Sequence, residues 1–158
     1  MDNNNNDELH KQVLAAIEYI KLMYRVVSGE QDPEKALKRV LRVFRQGNCG
    51  NFFSFLREEF GEEAKPYIVR MWYDDGAIRS HMIVKVGDRY YDIGGEFDEV
   101  EYTSSEHIEY YTIEPAEERD VSVFSDNNPA EERNVQEIFK AIQRKVIQQN
   151  AREPRIGR

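Results

Sequence analysis

The chain has 158 residues, of which 40% are apolar and 33% charged, with eight Phe, nine Tyr and one Trp. That specifies one soluble domain with a sizeable core and excludes a disordered or fibrous chain. A formal net charge of −8 leaves no surplus of basic residues to neutralise phosphates, so no nucleic-acid partner is expected. One cysteine, Cys49, excludes an internal disulfide and any multi-cysteine metal site, and His10, His81 and His107 have no metal-ligand spacing, so neither metal nor cofactor is expected. The start is polar and acidic, and no apolar run approaches the roughly 18 residues of a membrane span, so the chain reads as cytoplasmic with no membrane partner.

Residues 1–6 read as a frayed, Asn-rich arm. A first helix follows, with Leu9, Val13, Ile17, Ile20, Tyr24 and Val27 at spacings of three and four, ended by Gly29. Asp32 as N-cap and Pro33 at the first helical position start a second helix running to about Arg45, whose outer stripe, Lys35, Lys38, Arg42 and Arg45, reads as a solvated face. After Gly47-Asn48-Cys49-Gly50 a third, buried helix spans Asn51 to Phe60, stopped by Gly61. The period then changes to two. Tyr67–Tyr73 reads as a strand, Asp74-Asp75-Gly76 as a turn, Ile78–Val86 as a strand, Gly87-Asp88 as a tight turn, and Arg89–Ile93 as a strand ended by Gly94-Gly95. Segment 96–120 carries net charge −9 and offers short strands at Val100–Thr103 and Tyr110–Ile113, with another at Val121–Phe124. A last helix runs from about Ala130 to Gln149, before a basic tail at 151–158. The fold class is therefore α+β, in one domain over 1–158.

The chemistry centres on Cys49. It lies where a glycine-flanked loop meets a helix N-terminus, and free backbone N–H groups and the helix dipole there favour a thiolate over a thiol. The alternative for a lone cysteine is a small buried hydrophobe. The hairpin supplies the context. A two-residue turn at Gly87-Asp88 pairs Val86 with Arg89 and, counting outward, sets His81 opposite Gly94 and Ile83 opposite Asp92. His81 and Asp92 are then diagonal neighbours on one face, at about 7 Å between Cβ atoms, within reach of a hydrogen bond. Met82, Val84, Val86, Tyr91 and Ile93 form the opposite, apolar face. Cys49 as nucleophile, His81 as general base and Asp92 as its orienter make a catalytic triad. The backbone N–H of Cys49 with the side chain of Gln46 or Asn48 is the nearest local supply of oxyanion donors. Trp72, on the strand before the hairpin, is a candidate for lining a substrate cleft, its alternative being an ordinary packed aromatic. His107 reads as a surface histidine and His10 as structural.

The residues Gly47-Asn48-Cys49-Gly50-Asn51-Phe52 and Ser80-His81-Met82-Ile83-Val84-Lys85-Val86-Gly87-Asp88-Arg89-Tyr90-Tyr91-Asp92 resemble the papain-like superfamily in its broad sense, particularly its small transglutaminase-like and NlpC/P60-like members, several of them encoded by phages. The resemblance covers residues 46–97, the expected catalytic core. It implies a cysteine helix packed on a small antiparallel sheet, and acyl transfer through the cysteine. The stretch Gln46-Gly47-Asn48-Cys49-Gly50-Asn51 departs from papain proper, whose alignment would set the cysteine at Phe52, so Gln46 does not inherit the papain oxyanion role.

Two functions of different class follow. The first is a thiol enzyme acting on an amide or ester carbonyl of a protein or peptide substrate: a peptidase, amidase, deamidase or transglutaminase. The second is a non-catalytic phage or bacterial interaction protein that steers a basic partner through the acidic segment 96–120.

Overall fold

The computed structural model describes residues 3–152. The elements in chain order are α1 (Asn3–Ser28), α2 (Pro33–Arg45), α3 (Cys49–Phe60), β1 (Ala64–Tyr73), β2 (Ile78–Val86), β3 (Arg89–Asp92), β4 (Gly95–Glu96), α4 (Glu99–Tyr102), β5 (Ile108–Pro115), α5 (Glu118–Val123) and α6 (Glu132–Arg152), with 3-10 turns at Gly61–Glu63 and Pro129–Glu131. The fold is α+β, with five antiparallel strands in the order β4-β3-β2-β1-β5.

Local chemistry explains the helix starts. Asp32 accepts hydrogen bonds from the amides of Glu34 (2.9 Å) and Lys35 (3.3 Å), a cap worth about 1 kcal/mol. The Asn48 carbonyl accepts from Asn51 N–H (3.1 Å) and Phe52 N–H (3.2 Å), which closes a helical turn two residues earlier than expected and brings Cys49 into α3 itself. On α3, Phe52, Phe53, Phe55 and Leu56 are all buried, so the helix is apolar around most of its circumference and lies inside the molecule. It packs between the sheet and α6, with α1 and α2 completing one continuous core that includes Met82, Val84, Val86, Tyr91 and Ile93 from the sheet. The other face of the sheet carries a smaller cluster, Val69, Met71, Ile83 and Phe97, flanked by Tyr90, Tyr102 and Tyr111.

Several expectations are corrected. The chain is already helical at Asn3, where a frayed arm was expected. The hairpin strand β3 does stop before Gly94-Gly95, but the sheet gains an unexpected strand there, because Gly95–Glu96 turns back as β4 onto β3. Val100–Thr103 and Val121–Phe124 lie in the short helices α4 and α5, not in strands. In α4 the Asp98 carboxylate caps the Glu101 amide (3.1 Å), and in α5 Asp120 reaches back to the Glu117 amide (2.8 Å). These local bonds outweigh an alternating pattern of only two apolar residues, and Val100 and Val123 are exposed. The acidic segment is thereby divided among β4, α4, β5 and α5. Residues 153–158 of the basic tail lie outside the described residues.

Candidate active site

The site is assembled where β2 runs past the end of β3. The two-residue turn closes with Val86 opposite Arg89, and the ladder continues through Lys85↔Tyr90 and Val84↔Tyr91. Asp92 then pairs with Gly95 of β4. Main-chain groups along a strand alternate in direction, so Met82, like Val84 and Val86, turns its amide toward the β3 side. There it meets no strand. Its N–H donates instead to Cys49 Sγ at 3.4 Å, and the first turn of α3 occupies the gap.

Gly50 permits this approach. Its N–H donates to Phe124 O at 2.8 Å, and a Cβ there would overlap Ser125 Oγ and the Val121 carbonyl oxygen and lie 2.9 Å from Phe124 C. The first turn of α3 is thus pressed against α5 and the residues after it. With the Gly50, Asn51 and Phe52 amides engaged, the first-turn donor left without a partner among the described residues is Cys49 N–H.

His81 and Asp92 meet as the hairpin register requires. His81 Nε2 lies 3.3 Å from Asp92 Oδ2, and both residues are buried. A carboxylate only accepts, so Nε2 carries the proton. The same oxygen accepts from Arg45 Nε at 3.0 Å, and Asp92 Oδ1 accepts from Gly94 N–H at 2.8 Å. Gly94 lacks a Cβ at the point where the Arg45 guanidinium crosses it. Burial opposes a charged His81 ring, but the Asp92 carboxylate and the neighbouring Cys49 sulfur outweigh it and hold the imidazole up to about 9. For Asp92, burial is likewise outweighed, here by His81 and Arg45, and its carboxyl is held below the usual carboxylate value. His81 Nδ1 is buried and makes no hydrogen bond among the described residues, so it is the nitrogen left for chemistry.

Cys49 and His81 line one cleft of about 680 Å³ together with Gln46, Met71, Tyr73 and Tyr102. The Tyr102 ring stacks on His81 with centroids 5.6 Å apart, and Phe97 buttresses it at 4.8 Å. Of the two oxyanion candidates, Gln46 reaches the cleft. Asn48 is buried and turned into the helix start, where its Nδ2 donates to Asn51 Oδ1 at 2.7 Å. Trp72 is not brought to the cleft. It is one residue out of phase with Met71 and Tyr73, and stacks on Tyr110 at 4.5 Å on the other face of β1. His107 is exposed and paired with Asp74, and His10 bonds the Tyr91 hydroxyl, both away from Cys49. The sequence reading missed three participants: Arg45, counted as part of a solvated stripe; Tyr102, whose only signal is an aromatic in an acidic segment; and the Met82 amide, which has no side-chain signature.

Among the described residues no group of three or more His, Cys, Asp or Glu is arranged to hold a metal ion, and no helix is long and apolar enough to cross a membrane. A family model described as Phage YunG-like protein matches residues 23–143, about three quarters of the chain, a span that includes Cys49, His81 and Asp92. No curated protein and no solved structure matches the chain.

Proposed function

The chain belongs to the phage YunG-like family, and from that premise we propose that it is a cysteine-dependent acyl-transfer enzyme of papain-like type, with Cys49 as nucleophile, His81 as acid–base and Asp92 as positioning residue. The observation that carries the reading is the pairing, in one cleft, of a buried sulfur at a helix start with a buried imidazole whose Nε2 is held by a carboxylate and whose Nδ1 has no other partner. An imidazole held up to about 9 is protonated at neutral pH, and so supplies the cation that a thiolate beside it requires.

The sulfur adds to the carbonyl carbon of an amide or ester. As the C–S bond forms, the carbonyl π electrons move to oxygen. Cys49 N–H and the Gln46 side chain are the donors nearest that oxyanion. Collapse expels the amine or alcohol, which takes a proton from His81 Nδ1, and leaves a thioester. Water, or an amine in a transfer reaction, then gives its proton to Nδ1 and attacks the thioester, which releases the acyl group and restores the sulfur. Asp92 and Arg45 keep the ring in the required tautomer and orientation throughout.

The test is alkylation of the folded protein by iodoacetamide at pH 6, together with turnover of p-nitrophenyl acetate. The expected result is rapid labelling at Cys49 and loss of turnover in Cys49→Ser. Labelling that begins only on denaturation would assign Cys49 to the core and remove the enzyme reading.

A further inference from the structure

The strand that carries His81 has a free edge leading to the sulfur. By the alternation that turns Val86, Val84 and Met82 toward the β3 side, Ser80 and Ile78 turn their N–H and C=O groups the same way. Met82 N–H is taken by Cys49 Sγ. Among the described residues, the main-chain groups of Ile78 and Ser80 have no partner on that side, and Ile78–Ser80 is exposed. Natural sheets blunt open edges with proline, a bulge or a covering loop. Among the described residues this one has none of these at 78–80, before α3 covers the edge at Met82, and Ile78 is 59% exposed. The edge is also continuous with the cleft, since Arg79 and Ser80 are part of its wall, with Met71 and Tyr73 to one side and Val123 and Phe124 to the other.

We infer that the substrate is a polypeptide segment that docks on the β2 edge at Ile78–Ser80 as an added strand, in the track β3 vacates, and so carries its carbonyl to Cys49. The sulfur already sits where a ladder would put an acceptor opposite Met82, two residues or about 7 Å beyond Ser80. Main-chain pairing to Ser80 positions the chain, while side chains alternate between the Met71/Tyr73 wall and the Val123/Phe124 wall. The residue opposite Ser80 must carry an N–H, so proline is refused there. The inference rests on the acyl-transfer reading for the chemistry after docking, but not for the docking itself.

The experiment compares inactivation by a library of acetyl-tetrapeptide chloromethyl ketones with inactivation by iodoacetamide. Ser80→Pro removes only the edge amide, because the β1 ladder does not use it. The ratio of library rate to iodoacetamide rate should fall about tenfold in Ser80→Pro and hold in Ser80→Ala, which keeps the amide. On the unmodified protein, N-methylation of the library at one backbone position should produce the same loss, which tests the idea even if Ser80→Pro does not fold. Binding of the matching tetrapeptide amides to Cys49→Ala should protect the Ser80 amide from hydrogen exchange, with no chemistry required. No position-specific N-methyl effect together with no protection of Ser80 would overturn the docking. Slow iodoacetamide labelling with Ser80 protected would leave the docking standing and overturn the enzyme reading instead.

Discussion

Asp92→Asn separates the charge at this site from its shape. The asparagine oxygen can still accept from Gly94 N–H, but its NH2 group then faces two donors, His81 Nε2 and Arg45 Nε, where the carboxylate accepted both. Arg45 is partly exposed and can turn to water. His81 is buried and cannot. Its rise from 6.5 to about 9 corresponds to about 3 kcal/mol favouring the protonated ring in the folded state. For a raised folded-state value, that stabilisation is fully present below about pH 6.5 and is lost as pH climbs through about 9. Removing the carboxylate leaves only the Cys49 sulfur to oppose burial, and the ring should titrate well below its value in the parent. The assay is a 15N-imidazole NMR titration of His81 in both proteins, with turnover of the activated ester measured alongside. Turnover should drop by orders of magnitude, because the imidazolium that pairs with the thiolate loses its counter-charge. A His81 that titrates near 9 in both proteins, or near 6.5 in the parent, would refute the argument that Asp92 sets its charge.

Cys49→Ala should abolish labelling and turnover while costing only about 1 kcal/mol in urea unfolding, since the sulfur removed is small and its one resolved bond is from an amide. Gly50→Ala forces a methyl group against the Val121 carbonyl and Phe124, and should destabilise the fold by about 1–3 kcal/mol and slow labelling of Cys49; a stable, fully reactive variant would contradict the close approach. Tyr102→Ala uncovers His81 and should lower turnover, whereas Tyr102→Phe keeps both ring stacks and should retain most of it; equal loss in both would shift the role from the ring to the hydroxyl. The depressed Asp92 value contributes stability above the ordinary carboxylate range that is lost as pH falls below it, so Asp92→Asn should blunt acid unfolding monitored by circular dichroism.

What could be read without the structure depended on how local the determining chemistry is. The two-residue turn at Gly87-Asp88 fixes its own register, so His81 and Asp92 could be aligned by counting, and the two meet as counted. Caps such as Asp32 act within three residues and are equally legible. The short helices α4 and α5 were not, because two apolar residues at alternate positions fit a strand while the deciding bonds come from Asp98 and Asp120 to neighbouring amides. Arg45 reads as a surface cation until the fold brings Asp92 to it across 47 positions.

Trp72 marks the boundary most sharply. Its place was open because the connection between β1 and β2, residues 74–77, is four residues long, and a loop of that length does not dictate register as a two-residue turn does. The observed register sets Val69 opposite His81, which carries 69, 71 and 73 to the face of the His81 ring and turns Trp72 away. A slip of one residue in that pairing would have exchanged the two sets, with Trp72 over the cleft and Met71 against α3. The aromatic wall of the site is therefore set by the pairing of β1 with β2 and not by which aromatic residues the strand contains. It follows that an insertion of one residue in 74–77 that leaves the register intact should leave the cleft unchanged, because Tyr73 is still held opposite the β5 end at Ile108 and the loop absorbs the added length.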